Sequence, residues 1–164
     1  MTKIKNIFLG TLFLLICINF DYCKQKSFKS IVYENIGMKI SILDDMTENK
    51  YDNIYYIFNK NISISIKSIH NNQSCDTTNN NDGMCSMMKT INELNIDTTT
   101  INIIEATKCC KILNGKNSFN ENYLIKEIRC QNHIKNIISI KYSEEETENA
   151  EIIMNSAKPL CKSK

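Results

Sequence analysis

Apolar and polar positions along the chain alternate with two distinct periods, and the changes of period mark out the elements. Met38, Ile40 and Ile42 alternate with Lys39 and Ser41, the pattern of a strand with one buried face. Residues 44–53, DDMTENKYDN, lose that period and read as a polar loop. YYIF, NKN and ISISIKSI then predict a hairpin. Ile62, Ile64 and Ile66 lie on one face of its second strand, Ser63, Ser65 and Lys67 on the other, and His70 ends it. The next stretch, HNNQSCDTTNNNDGMC (70–85), is Asn-rich and aperiodic, an unusually long loop for a compact domain. SMMKTINELN (86–95) returns to a helical period with Met87, Met88, Ile91 and Leu94. Core packing is the expected use of that stripe, although Met-rich faces also serve as binding surfaces.

INIIEATKCCKIL (101–113) reads as one strand, with Ile104, Ala106, Cys110 and Ile112 inward and Cys109 outward. NGKNSFNEN (114–122) reads as a turn, YLIKEIRC (123–130) as a strand and QNH (131–133) as a tight connection. IKNIISIKYS (134–143) predicts a last strand with Ile134, Ile138, Ile140 and Tyr142 aligned. A helix follows. Ser143 and Glu146 have the S-x-x-E spacing of a capping box, and Glu144, Glu145 and Glu146 place negative charge at the positive end of the helix dipole. Ala150, Ile153, Met154 and Ala157 line one side, and Pro159 ends the helix.

The order of these elements, with MKISIL near the start, ILNGK at 112–116, IISIKYS and the ending AEIIMNSAK, resembles the PsbP-like family over residues 31–158. That fold is shared with the Ran-binding nuclear import factor and with many small exported bacterial proteins. The resemblance implies an α+β fold, an antiparallel β-sheet flanked by helices in an α/β/α sandwich. It also implies a non-enzymatic accessory or binding protein. No photosystem-binding or Ran-binding residues carry over.

Composition agrees with a sheet-rich domain. The 164 residues include 28 Ile and 23 Asn against 3 Ala, an abundance that AT-rich codons produce and that weakens any functional reading of the Asn and Lys content. β-Branched Ile favours strands, and scarce Ala argues against an all-helical bundle. Net charge is +2 with Lys and Glu intermixed, so the basic stripe of a nucleic-acid binder is missing. The expected partner is an unknown protein or surface.

Lys3 and Lys5 precede an apolar run from Ile7 to Ile18, the arrangement of a secretory signal that is too short for a stable membrane span. We read residues 1–23 as a signal peptide, cleaved between residues 19 and 25, and 24–164 as a single α+β domain. A buried N-terminal helix and an uncleaved anchor are the alternatives. Cys23 raises a lipoprotein reading, against which Tyr22 is bulky where a small residue is wanted.

Of eight Cys, Cys17 lies in the signal, and cleavage near Cys23 leaves Cys75, Cys85, Cys109, Cys110, Cys130 and Cys161. Export permits disulfides, and six Cys allow fifteen pairings. Cys75 and Cys85 bracket the Asn-rich loop and form the candidate pair. Cys109 would join Cys130 or Cys161, and Cys110 would stay buried and reduced.

No C-x2-C spacing marks a metal site, and neither His70 nor His133 lies in a ligand or catalytic motif. The 4 Gly are not clustered, so no phosphate loop is present. No catalytic, cofactor-binding or metal residue is assigned, and no cofactor is expected. The function the sequence favours is an exported, small, non-enzymatic binding or accessory protein. One alternative is a secreted Cys-rich factor of a eukaryotic parasite or protist, with Asn61 (N-I-S) and Asn72 (N-Q-S) as glycosylation acceptors. Another is a thiol-dependent enzyme built on a Cys–His pair.

Overall fold

The computed structural model describes residues 26–70, 82–107, 110–129 and 134–160, apart from the side chains of 70, 82–86 and 134. Five strands come first: β1 (Phe28–Tyr33), β2 (Met38–Leu43), β3 (Thr47–Tyr51), β4 (Ile54–Phe58) and β5 (Ile62–His70). Helix α1 (Asp82–Glu93) separates them from β6 (Asn102–Ala106), β7 (Cys110–Lys116), β8 (Asn122–Arg129) and β9 (Ile134–Tyr142). Helix α2 (Thr147–Ser156) and the short β10 (Lys158–Pro159) close the described chain. Seven strands form one antiparallel sheet in the order β3-β4-β5-β9-β8-β7-β6, and β1-β2-β10 form a second. The fold is α+β, with an antiparallel sheet flanked by helices. The second sheet beside α2 is an addition that the sequence pattern does not reveal.

The alternation in β5 has the expected consequence. Ile62, Ile64 and Ile66 are buried and stand opposite Tyr142, Ile140 and Ile138 of β9. Met38, Ile40 and Ile42 of β2, with Ala150, Ile153 and Met154 of α2, close over that face. Removing each such side chain from water contributes about 1.5–3 kcal/mol before the entropy cost of ordering it. The opposite face carries Leu113, Tyr123, Ile125 and Ile137, covered by Met87 and Ile91 of α1 and by Ile96. Strand β8 is buried on both faces, and its charged pair Lys126 and Glu127 is buried along with Tyr123, Leu124, Ile125 and Ile128.

Lys126 lies on the α2 side of β8, at the end of that helix. Its Nζ donates to the carbonyl oxygens of Met154 (3.0 Å) and Ala157 (2.9 Å) at the end of α2, where the Met154 carbonyl also accepts from the Ala157 N–H (3.3 Å). Loss of hydration pulls its pKa below the usual lysine value, against the opposing influence of Cys110 and Glu105. Asn136, also buried, donates from Nδ2 to the Ile36 carbonyl (2.9 Å) and ties the turn after β1 to the large sheet.

Several expectations are corrected. Residues 44–53 are not all loop, because Thr47–Tyr51 pair with β4 in an edge strand whose side chains are all exposed. Strand β1 precedes it in the other sheet, with Lys29, Ser30 and Val32 exposed and only Tyr33 buried. Helix α1 begins at Asp82, inside the stretch read as loop. Residues 101–113 are two strands, and Ile104 and Ala106 are exposed rather than inward. Cys110 packs half-buried against the α2-side core instead of lying fully buried. Asn114–Gly115 lies within β7, and the turn is confined to residues 117–121.

The capping box does not form either. Ser143 makes no side-chain cap, Glu144–Glu146 form a 3-10 turn, and α2 starts at Thr147. The buried Glu146 carboxylate instead accepts from Lys26, from Asn61 Nδ2 (3.3 Å) and from Asn149 Nδ2 (2.7 Å). Burial pushes its pKa up, but these donors outweigh burial and hold it below the usual glutamate value. The apolar face of the helix is as read, with Ala150, Ile153, Met154 and Ala157 buried. Pro159 pairs in β10 with Met38 after the helix has ended.

Candidate functional site

The second core is incomplete at one side, and the sequence of α1 explains where. Met87, Thr90 and Ile91 face the sheet and are buried, whereas Met88, one position round the helix, is 40% exposed. The helix is stopped by Asn95, which takes the left-handed conformation at φ 53°. Its N–H donates to the Asn92 carbonyl (3.1 Å), and the Ile96 N–H donates to the Ile91 carbonyl (3.0 Å). This is a Schellman ending, with Ile91 and Ile96 sharing one apolar cluster.

The chain then turns back onto β7. Ile96 bridges Asn117, and Asp97 caps a 3-10 turn over Thr98–Thr100 by accepting from Thr99 N (2.9 Å) and Thr99 Oγ1 (2.7 Å). Those bonds lower the Asp97 pKa. Thr100 Oγ1 accepts from the Lys116 N–H (2.8 Å), which pins this turn to the strand. Strand β6 leaves the turn as the outer edge of the sheet.

Between α1 on one side and β6 and β7 on the other lies a groove of about 360 Å³. Met88, Ile91, Ile101, Ile103 and Leu113 supply its apolar walls, and Thr98 belongs to the lining. Ile103 is 58% and Ile104 52% exposed, so the apolar surface runs out over the sheet edge. Two charged residues belong to the lining, Glu105 and Lys111. Glu105 is in register with Ile112, a residue of the α2-side core, and its charge acts on Lys126 there. Lys111 shares the α1 face with Leu113 two residues on, and it stands opposite Ala106 and Glu127. The floor near it holds the buried Glu127, whose Oε1 accepts from Arg129 Nε at 3.3 Å.

No family model matches the chain, and no curated protein or solved structure matches it. The groove is therefore read from its own chemistry. It can take up an apolar body, and its lining carries the Lys111 ammonium and the Glu105 carboxylate for a polar end.

A second hollow, larger at about 510 Å³ but more open, lies at the opposite end of the sheet. Two of its charges, Lys141 and Glu121, satisfy each other. Lys141 Nζ donates to Glu121 Oε1 (3.1 Å), and Asn117 Nδ2 donates to Glu121 Oε2 (2.7 Å), which together lower the Glu121 pKa. Asn61, in the exposed turn between β4 and β5, borders this hollow. The described residues contain no group of three or more His, Cys, Asp or Glu able to hold a metal ion. No helix among them is long and apolar enough to cross a membrane.

Cys75, Cys109, Cys130, Cys161, Asn72, His133 and the whole segment 1–25 with Cys17 and Cys23 lie outside the described residues. Cys85 falls in α1 and His70 ends β5, with side chains likewise outside. Sequence reading noticed the Met-rich stripe but not Ile101, Ile103 or Lys111. The one available signal was the doublet Ile103–Ile104, which a single-strand reading could not place with both side chains inward.

Proposed function

We propose that the protein is a small, non-enzymatic, exported binding protein that acts through the groove between α1 and the β6–β7 hairpin. The observation that carries this reading is the apolar groove of about 360 Å³, open at an edge where Met88, Ile103 and Ile104 are exposed. An apolar pocket with a few polar groups is the usual form of a small-molecule site. Exposed apolar surface of this kind costs solubility unless something uses it. The helices on both faces of the sheet are compatible with the sandwich that the PsbP-like resemblance implies, and that resemblance favours an accessory role. Export rests on Lys3, Lys5 and the apolar run to Ile18.

The test is a fluorescence titration of the purified chain with the neutral probe N-phenyl-1-naphthylamine. Saturable binding is expected. Met88→Glu, which places a carboxylate at the mouth of the groove, is expected to weaken it about tenfold, the effect of a cost near 1.4 kcal/mol. Absence of saturable binding, or full binding by a folded Met88→Glu, contradicts the reading.

The glycosylated-factor reading has one observation in its favour. Asn61, the first residue of the sequon, is exposed in the turn between β4 and β5, while Ile62 and Ser63 already belong to β5. Mass analysis of the protein from its native source tests it: a glycan on Asn61 supports it, and an unmodified Asn61–Ser63 peptide counts against it.

A further inference from the structure

We propose that the ligand of the groove is a free single-chain amphiphile with a carboxylate head, its chain lying on Met88, Ile103 and Leu113 and its head paired with Lys111. This rests on the binding function argued above and names the ligand class. Three observations support it.

The first is size. The groove's volume of about 360 Å³ stands at the low end of the roughly 300–1,000 Å³ range of small-molecule pockets. One alkyl chain suits it better than a two-chain lipid.

The second is polarity along its length. By register, Leu113 stands opposite Ile103 and Lys111 opposite Ala106, so the strand pair passes from apolar to cationic within two residues. An amphiphile has that same order.

The third is the state of Lys111. Among the described residues no carboxylate forms an ion pair with it. Glu127, across the ladder, is bonded to Arg129, and Glu105, which also lines the groove, is in register with Ile112 rather than with Lys111. Lys111 is also half-buried at the edge of apolar surface, where an ammonium gains most from an added anion. Addition of a peptide strand to the β6 edge is less suited to the site, because the register shift between Ile103 and Glu105 breaks the backbone ladder there.

The experiment measures displacement of bound N-phenyl-1-naphthylamine by tetradecanoate and by 1-tetradecanol, both below their aggregation concentrations. Tetradecanoate is expected to displace the probe at about tenfold lower concentration than the alcohol, the ratio that corresponds to about 1.4 kcal/mol for one charge-assisted contact. Lys111→Gln is expected to abolish that preference, and Lys111→Arg to restore it. Equal displacement by acid and alcohol, or a preference that survives in Lys111→Gln, overturns the assignment of the head group and leaves the groove as a binding site. Failure of the probe itself to bind overturns the binding function and, with it, the ligand class.

Discussion

Ile96 rests directly on the backbone of Gly115: a Cβ on that glycine would come to 2.9 Å from Ile96 Cγ2 and 3.5 Å from Ile101 Cγ1. The segment that follows α1 can therefore lie flat on β7 only because residue 115 has no side chain. Gly115→Ala is expected to lower stability by about 1–3 kcal/mol, the usual cost of overpacking a filled site. Because Ile101 is part of the groove wall, the same substitution should weaken probe binding. Chemical denaturation and the fluorescence titration check the two effects separately.

Glu146 and Ser143 are predicted to differ sharply. Ser143→Ala removes a hydroxyl that caps nothing, so stability should stay within about 0.5 kcal/mol of wild type. Glu146→Ala leaves the donors of Asn61 and Asn149 without their acceptor and should cost about 1–3 kcal/mol. Thermal melts of the two variants side by side decide between this arrangement and a capping box, which would make both substitutions costly.

The same carboxylate gives a pH dependence. Its folded pKa lies below the value in the unfolded chain, so its contribution is complete above the unfolded glutamate pKa of about 4.3. It is lost as pH falls through the lower folded value. Wild type should therefore lose more stability than Glu146→Gln on acidification below about pH 4.5. Parallel acid titrations of the two proteins check this, and identical slopes would remove Glu146 from the account.

Lys126 is expected to tolerate little. Lys126→Met keeps the length of the side chain but leaves the Met154 and Ala157 carbonyls without their shared donor. Hydrogen bonds to charged groups are worth about 1.5–3 kcal/mol, so a loss of that order is expected. Slowed or unchanged amide exchange at the end of α2 in this variant would contradict the capping role, since fraying should speed it.

What the sequence displays most clearly is whatever is buried on one face. β2, β5, β9 and the apolar side of α2 follow from their periods because Ile40, Ile64, Ile140 and Ile153 each need a dry neighbour. Edge and turn features leave weaker traces. TENKY forms β3 with all five residues exposed, so its side chains carry no period. Asn114–Gly115 looks like a turn, but its glycine is required by the approach of Ile96, a long-range contact that no local pattern contains. Ser143 and Glu146 have the spacing of a cap, and tertiary donors from Lys26 and Asn61 redirect the carboxylate. The groove was half legible. Met88 was visible in the helical stripe, but its exposure depends on where β6 lies, and that in turn depends on the reversal that splits 101–113 into two strands.

The most direct measurement of the central claim is a methyl-resolved NMR titration of the purified chain with N-phenyl-1-naphthylamine. The account predicts saturable shifts confined to methyls bordering the groove, those of Met88, Ile91, Ile101, Ile103 and Leu113. The Ile40, Ile64 and Ile153 methyls, in the core on the other side of the large sheet, should stay in place. Shifts centred on that opposite core, or none at all at saturating probe, would contradict a binding function for the groove.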